Sequence, residues 1–445
     1  MASHSQSEPA ADAPGLAQSA ADARALRRRG MTLALLTIVY FFSFMDRYIL
    51  TILLEDIKKA LDLSDTQLGL LQGFAFAMLY ATLGIPVARL ADRSNRRNII
   101  AASLALWSAM TAACGLALNY GQLLAARVGV GIGEAGSSPP SHSMIADLYP
   151  PEKRSGAMAI YSTGVVLGGG FGTMIGGTIA HLFGWRYALM AVGAPGLVLA
   201  LIVWLFVVEP RRGLSDPARA VPAPQPPLIE GFRSLFANPV AVHLVMALTV
   251  TSFVGYSLAS FLPSFMQRSY GVSLLTVALE LAPAVAIVGT FSGIVSGRIA
   301  DRLARERGLY MQPWLIAVTK GIAFPCALVF YLASDFTIGF TFALLVYLFS
   351  SSYLGPSFAL LQGQAPVKMR ALWAAITLLI INLIGLGLGP SMVGALSDAF
   401  RATQGQESLR YAMLVAECFT PWAIFHYWRA GVLMKRQQVA GVAAG

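Results

Sequence analysis

Twelve long apolar runs constrain the fold of this chain more than any other feature of its sequence. A helix of about 20 apolar residues is long enough to cross the hydrocarbon core of a bilayer. The chain is 56% hydrophobic and 12% charged, whereas soluble proteins are roughly 25% charged. We therefore expect transmembrane helices over residues 31–55, 66–90, 98–118, 121–146, 158–182, 186–208, 239–268, 274–299, 312–333, 337–362, 371–396 and 409–433.

The positive charges predict how these helices are oriented. Most of the 32 lysines and arginines fall in the two terminal tails and in alternate loops. Cytoplasmic loops are enriched in positive residues, so we expect both termini to be cytoplasmic. The net charge of +10 then reflects membrane topology, and we expect the lipid bilayer rather than nucleic acid as a partner. The absence of an N-x-Ser/Thr sequon favours a bacterial inner membrane. The loops on the opposite side hold only Lys58, Lys59, Arg186, Arg268, Arg401 and Arg410.

A proline-rich and charged linker, VVEPRRGLSDPARAVPAPQPPLIEG at 207–231, divides the runs into two sets of six. Motifs of the first set recur in the second at similar separations, which is typical of duplicated transporter halves. The recurring pairs are ARLADR (88–93) and GRIADR (297–302), GGGFGTMIGG (168–177) and GLGLGPSMVG (385–394), and PPEKRSGAMAI (150–160) and APVKMRALWAAI (365–376).

This organisation predicts an all-α membrane protein with two pseudo-symmetric six-helix bundles. The polar, Ala-rich tail before the first run has the composition of a disordered segment. We expect a disordered cytoplasmic tail (1–30), an N-terminal bundle (31–208), a cytoplasmic linker (209–238), a C-terminal bundle (239–433) and a cytoplasmic tail (434–445).

The motif ARLADRSNRR (88–97) resembles the loop 2–3 motif of the major facilitator superfamily, Gly-x-x-x-Asp-Arg-x-Gly-Arg-Arg. Ala88 and Asn95 replace the two glycines of that motif. The resemblance covers residues 31 to about 433 and implies two bundles around a central cavity that opens alternately to each side. It also implies a cytoplasmic gate, for which the candidates are Asp92, Arg93, Arg96, Arg97 and, in the second half, Asp301 and Arg302.

Within that superfamily, the segment ARVGVGIGEAGSSPPSHSMIADLYPPEKR (126–154) resembles the Spinster family, whose members transport lipids and lysolipids. The motifs that match are Gly-x-Gly-Glu-Ala, the prolines that follow it and the Ile-Ala-Asp-Leu stretch before a basic residue. Organic-anion symporters share the Asp-Arg pair of the first run and the Glu-Ala-Gly of the fourth, and they remain the alternative.

Charged residues inside the first and fourth runs predict a functional cluster. A charge at the bilayer centre costs at least ~2.5–3.5 kcal/mol, so it must face a cavity or a partner. Asp46 lies about 22 Å from the cytoplasmic end of the first run, and Arg127 lies about 9 Å from the outer end of the fourth. In a core of ~30 Å these depths are similar. Glu134 shares a helix face with Arg127, two turns deeper. A self-neutralising pair that only locks helices together is the alternative.

We expect Asp46, Arg47, Arg127 and Glu134 to bind both a proton and a substrate. Glu134 is the predicted proton carrier because it lies deep among glycines and small residues, with Asp46 as the second acid held ionised by its neighbour Arg47. Arg47 and Arg127 carry guanidinium forks that suit a phosphate or a carboxylate, so with Glu134 they form the predicted head-group site.

The seventh and tenth runs differ from the first and fourth because they carry hydroxyl and aromatic groups instead of charges. Phe253, Tyr256, Ser352 and Tyr353 are the predicted contacts for an apolar part of the substrate, although polar helix packing explains such stripes equally well. Lys320 in the ninth run and Glu280 in the eighth receive no assigned role.

These features predict a proton-coupled secondary transporter that exports a small amphipathic substrate, such as a lysophospholipid, a sphingoid phosphate or a drug-like molecule. The alternative is a proton-coupled symporter of organic anions; a receptor or a lipid scramblase belongs to a different class. We expect no enzymatic activity, no cofactor and no metal, because no catalytic set or Cys/His spacing is present. The chain is expected to act as a monomer.

Overall fold

The computed structural model describes residues 13–215, 227–350 and 353–443, and helices dominate these ranges. An N-terminal helix, Ala13–Arg27, lies within the tail that was predicted to be disordered. Its Asp22 lies 3.3 Å from Arg211 of the linker. We number the transmembrane helices as spans 1 to 12 in chain order. The side of the membrane that carries the two described chain ends is called the terminus side, and the opposite side is called the far side.

Spans 1 to 6 form the N-terminal half, and two of them consist of two helical segments. Span 4 breaks at 135–137, since Pro139 and Pro140 lack the N–H groups that would bond to the carbonyls of Ala135 and Gly136. The helices are Arg29–Leu61 (span 1), Asp65–Gln72 with Phe74–Arg93 (span 2), Arg96–Leu116 (span 3), Tyr120–Glu134 with Ser138–Leu148 (span 4), Pro151–Phe183 (span 5) and Trp185–Phe206 (span 6).

Spans 7 to 12 form the C-terminal half and include π-helical turns in spans 8 and 11. The helices are Pro239–Ser269 (span 7), Leu274–Thr276, Val277–Leu281 and Ala282–Arg307 (span 8), Met311–Leu332 (span 9), Phe336–Ser350 with Leu354–Gln364 (span 10), Arg370–Ile380, Ile381–Leu388 and Gly389–Gln404 (span 11), and Ser408–Glu417 with Thr420–Ala443 (span 12).

Ten segments of the described chain are long and apolar enough to cross a membrane. One of them, Leu372–Val439, covers most of span 11 and most of span 12. Span 4 is absent from the ten because each of its two helical segments has fewer than 18 residues. Over its described residues, each predicted apolar run therefore coincides mainly with helix, and the predicted fold class is confirmed.

The contacts between spans repeat in the two halves. Span 1 packs on span 5 and span 3 on span 6; in the second half span 7 packs on span 11 and span 9 on span 12. The halves meet where span 2 contacts span 11 and where span 5 contacts span 8, and these two contacts are also equivalent under the repeat. The structure is thus an internal pseudo-dimer of two six-helix bundles.

The glycine-rich motif that occurs twice in the sequence makes the same contact in each half. A Cβ on Gly172 of span 5 would lie 2.8 Å from the backbone of Met45 in span 1. A Cβ on Gly389 of span 11 would lie 2.9 Å from the carbonyl oxygen of Phe253 in span 7. Only glycine permits this approach of two helix backbones. The repeated motif therefore sets the position of the charged span 1 and of its counterpart, span 7.

A short amphipathic helix, Leu228–Ala237, precedes span 7. Gly231 and Leu235 are buried, and the former packs on Leu372 of span 11. Ile229 and Phe236 are exposed. The linker predicted as 209–238 therefore carries a helix that contacts the C-terminal half.

Candidate substrate and proton site

An ion pair between spans 1 and 4 forms the centre of the site. Arg47 donates from Nε to Oε2 of Glu134 at 2.6 Å, and its Nη2 lies 2.6 Å from the same oxygen. The hydroxyl of Ser43 donates to that oxygen at 3.0 Å. Glu134 is buried, whereas 20% of the Arg47 side chain is exposed. Arg47 is therefore the member of the pair that a ligand can reach.

Aromatic rings surround the Arg47 guanidinium and fix its direction. Its Cζ lies 5.0 Å from the ring centroid of Phe44, 4.7 Å from that of Phe76 and 4.8 Å from that of Tyr80. Each cation–π contact contributes ~0.5–1 kcal/mol at exposed sites and about 2 when desolvated. The rings thus hold the cation inside the membrane without using up its hydrogen-bond donors.

Asp46 does not pair with Arg47, so the predicted neighbour pair is wrong. Consecutive residues of a helix point in different directions. Asp46 instead faces the hydroxyl of Thr111 and the indole of Trp107 on span 3, is 1% exposed, and has one carboxyl oxygen without a hydrogen-bond partner among the described residues. The acid that holds Arg47 is Glu134, which is 87 residues away in the sequence.

Arg127 lies in the same region but forms no ion pair with a described residue. It is 3% exposed, and its Cζ lies 5.6 Å from the ring centroid of Phe76, which also contacts Arg47. Asp46 and Glu134 are the two acids whose charges act on it. The structure therefore brings the four predicted charged residues into one region of the N-terminal half, with one direct ion pair among them.

The break in span 4 positions Glu134. Glu134 is the last residue of the first segment, and the glycines before it allow close packing on two neighbours. A Cβ on Gly131 would lie 3.0 Å from the carbonyl oxygen of Phe76, and a Cβ on Gly133 would lie 2.7 Å from the backbone of Trp107. The sequence motif that carries the Spinster resemblance therefore brings the carboxyl of span 4 between spans 1, 2 and 3.

The opposing wall comes from spans 7 and 10. Tyr256 is 37% exposed and lies within electrostatic range of Arg47 and Tyr48 of span 1. The hydroxyl of Tyr353 lies 3.3 Å from Oγ of Ser252. Phe253 is half-buried and its ring contacts Phe419 at a centroid distance of 5.4 Å. Ser352, also predicted here, lies outside the described residues.

The predicted gate motif of the terminus side forms contacts within the N-terminal half. Arg96 is fully buried; its Nη1 lies 2.5 Å from Asp147, and its Nε lies 2.7 Å from Glu209. Arg97 donates its backbone N–H to Glu209 at 2.9 Å. These bonds tie span 3 to the end of span 4 and to the linker.

The other gate candidates that the structure describes form no such bonds. Arg93, Asp301 and Arg302 are exposed, and Arg302 pairs with Glu306 on its own helix at 2.7 Å. The side chain of Asp92 lies outside the described residues.

The far side carries a network that the sequence analysis did not identify. Arg268 at the end of span 7 contacts Glu55 of span 1 at 2.6 Å and Asp65 of span 2 at 2.7 Å. Lys58 contacts Asp65 at 2.5 Å, and Asp398 of span 11 accepts from the backbone N–H of Thr66 at 2.8 Å. The sequence feature that could have indicated this network is the high density of acidic and basic residues between spans 1 and 2.

The bonds found between the two halves, within the described ranges, all lie at this end of spans 1, 2, 7 and 11. The halves are therefore joined on the far side. On the terminus side, the gate candidates that the structure describes form no bond between the two halves.

Two helical bundles related by a repeat, with a cluster of buried charged residues inside the first bundle, define a secondary-transporter fold. The chain belongs to the Major Facilitator Superfamily, whose model matches residues 36–390. It is an integral membrane transporter and not an enzyme.

Two curated relatives extend this result. An MFS-type efflux pump of Mycolicibacterium smegmatis is 34% identical over 418 residues, which are 94% of this chain and 96% of that protein. The Sphingosine-1-phosphate transporter SPNS2 of Danio rerio is 27% identical over 311 residues, which are 67% of this chain and 62% of that protein.

Among solved structures, a bacterial homologue of the human lysosomal transporter Spinster, in an inward-facing and unoccupied conformation, aligns with a TM-score of 0.84. It is 33% identical, and the alignment covers 92% of this chain and 98% of that one. The predicted resemblance to the superfamily and to the Spinster family is confirmed.

Proposed function

We propose that the protein is a proton-coupled transporter that exports an amphipathic, lipid-like or drug-like molecule from the terminus side. The observation that carries this proposal is the Arg47–Glu134 ion pair between spans 1 and 4. The accessible cation of the site is occupied by an internal carboxylate. A ligand group that replaces either member of the pair has to open it.

Protonation of Glu134 removes the negative charge that holds Arg47. The guanidinium is then free to bind an external group, and Arg127 beside it supplies a second cation. No cation among the described residues contacts the carboxyl of Asp46 directly, so we assign it as the second proton site. This assignment differs from the expectation that Arg47 keeps Asp46 ionised.

The sign of the coupling depends on which substrate group enters the site. A substrate ammonium would compete with the proton for the Glu134 carboxylate, which leads to exchange of substrate for protons. A substrate anion on Arg47 would bind together with the proton, because both require the open pair; binding couplings of this kind are reciprocal. The first case describes our exporter of amphipathic molecules, and the second describes the organic-anion symporter.

The aromatic wall supports an amphipathic substrate. Tyr256 faces Arg47 from the other half, and Phe253 and Tyr353 lie on the same two spans. Burial of an acyl chain contributes about 25 cal/mol per Å² of apolar surface, which a small hydrophilic acid would not gain. The similarity to an efflux pump and to a Sphingosine-1-phosphate transporter supports the same substrate class.

We assign the terminus side to the cytoplasm and the membrane to the bacterial inner membrane. The positive charges of the loops support the orientation. The similar solved structure is inward-facing. In this chain the bonds between the halves lie on the far side, which supports an opening towards the terminus side. We further propose that a single chain, without a nucleic-acid partner, performs transport.

The test is flux into reconstituted vesicles with an imposed pH gradient. We expect lysophosphatidylcholine and lysophosphatidylethanolamine to move in the direction opposite to the flow of protons. In Glu134→Gln, we expect the pH gradient to have no effect on this flux. Uptake of a short organic acid together with protons would replace this proposal with the symporter. An equal lysolipid flux with and without the pH gradient would reject proton coupling.

A further inference from the structure

A second pair of opposite charges is buried in the C-terminal half, away from the Arg47 cluster. Lys320 of span 9 is 6% exposed and Glu417 of span 12 is 5% exposed. Span 9 begins on the terminus side at Met311 and span 12 on the far side at Ser408, so each residue lies about 14 Å into its span. In a core of ~30 Å, both are close to the middle of the membrane.

The sequence explains why Glu417 lies at this point. Glu417 ends the first helical segment of span 12, and Pro421 follows four residues later. Proline cannot donate to the carbonyl four residues before it, so the helix breaks at Glu417. The side chain accepts a hydrogen bond from the hydroxyl of Thr420 at 2.8 Å.

The two charges act on each other without direct contact. The negative charge of Glu417 interacts electrostatically with the Lys320 ammonium. That ammonium forms neither a hydrogen bond nor an ion pair with any residue in the described ranges. Its Nζ lies 5.0 Å from the ring centroid of Tyr353. A buried pair compensates its desolvation only when geometry and hydrogen bonding are good. A purely structural pair is therefore a poor account of this arrangement.

Tyr353 links this pair to the substrate site. Its ring faces Lys320, and its hydroxyl lies 3.3 Å from Ser252 of span 7. In the described part of the chain, the other titratable groups near the pair are tyrosines. Tyr331 of span 9 lies within electrostatic range of Glu417, and Tyr427 of span 12 lies within electrostatic range of Tyr353. Tyrosines are neutral at physiological pH. The charge state of the pair is therefore set by Lys320 and Glu417.

We propose that Lys320 and Glu417 form a second proton-binding site, which acts on the substrate wall through Tyr353. This proposal rests on the proton-coupled transport proposed above. Binding of one proton converts the Glu417 carboxylate to a carboxylic acid and changes the net charge of the pair from zero to +1. Among the described residues, Lys320 then has the Tyr353 ring as its remaining partner, and its contact with that ring strengthens. Release of the proton restores the carboxylate and draws Lys320 towards span 12.

The test is pH-titrated infrared difference spectroscopy of the full-length protein in lipid nanodiscs. We expect the wild type to show a titrating carboxylic-acid band that Glu417→Gln removes and Glu134→Gln retains. Lys320→Met should move the midpoint of this band to higher pH by about 1–3 pH units, because the cation that favours the carboxylate is lost.

Identical titrating bands in the wild type and in Glu417→Gln would overturn the proposal. If Glu417→Gln does not fold, the double variant Lys320→Met/Glu417→Gln replaces it, since it leaves no unpaired charge. If neither folds, a wild-type spectrum without any titrating carboxyl beyond those removed by Glu134→Gln and Asp46→Asn would overturn it as well. A wild type that shows gradient-driven flux but has no titrating band that depends on Glu417 would reject this site and leave the proposed function standing.

Discussion

Arg47 contacts a single carboxylate oxygen of Glu134: both Nε and Nη2 of the arginine lie 2.6 Å from Oε2 of the glutamate. The other carboxylate oxygen of Glu134 has no hydrogen-bond partner among the described residues. The pair thus joins spans 1 and 4 through a single atom while a free acceptor remains beside it. Such a contact is easier to exchange for a proton than a fully bonded one.

Glu134→Gln should abolish the response of transport to a pH gradient and leave the fold intact. The amide has the size of the carboxylic acid but cannot exchange a proton, so Arg47 should stay free throughout the cycle. The measurement is lysolipid flux in vesicles with and without the gradient. Glu280→Gln is the matched control, because Glu280 is exposed in span 8. A normal gradient response of Glu134→Gln would remove this residue from the coupling mechanism.

Arg268→Ala should open the far side. Arg268 bonds Glu55 and Asp65 from the opposite half, and loss of one partner of a buried ion pair costs about 3–5 kcal/mol. The conformation in which these residues are in contact loses that stabilisation. Spin labels on the far-side ends of spans 1 and 7 should report longer distances.

The control for this measurement is Arg401→Ala, since Arg401 is exposed on the same side and outside the network. An unchanged distance distribution in Arg268→Ala would show that the network does not hold the far side closed.

Gly172→Ala should destabilise the N-terminal half. The added Cβ would lie 2.8 Å from the backbone of Met45, and such overpacking costs typically ~1–3 kcal/mol. We expect a lower midpoint of thermal unfolding in detergent. Gly170→Ala, two residues away in the same helix, has no atom within 4 Å of its new Cβ and should unfold like the wild type. Equal midpoints for both variants would contradict the close contact of spans 1 and 5.

Tyr256→Ala should weaken substrate binding more as the acyl chain lengthens. Tyr256 is 37% exposed on the wall opposite Arg47, and each buried methylene contributes about 0.8 kcal/mol. The measurement is the affinity for a series of lysophosphatidylcholines that differ only in chain length. Tyr187→Ala is the control, because Tyr187 is 61% exposed on span 6. Equal losses at all chain lengths would exclude Tyr256 from the tail site.

The sequence by itself determined the number of spans, the two halves and the depth of the charges. Apolar length and helix rise are local properties, so they are readable from consecutive residues. The duplicated glycine motif was likewise visible, and the structure showed that it brings span 5 against span 1 and span 11 against span 7.

Only the tertiary structure decided which charges meet. Asp46 and Arg47 are neighbours in sequence, yet the rotation of span 1 directs Asp46 to span 3 and Arg47 to Glu134. Arg268 joins Glu55 across more than 200 residues, and Lys320 faces Glu417 through the packing of spans 9 and 12. Depth fixes one coordinate of a residue in a membrane. The rotation and the neighbours of each helix are set by contacts between distant segments, and these contacts decided the partner of each charge.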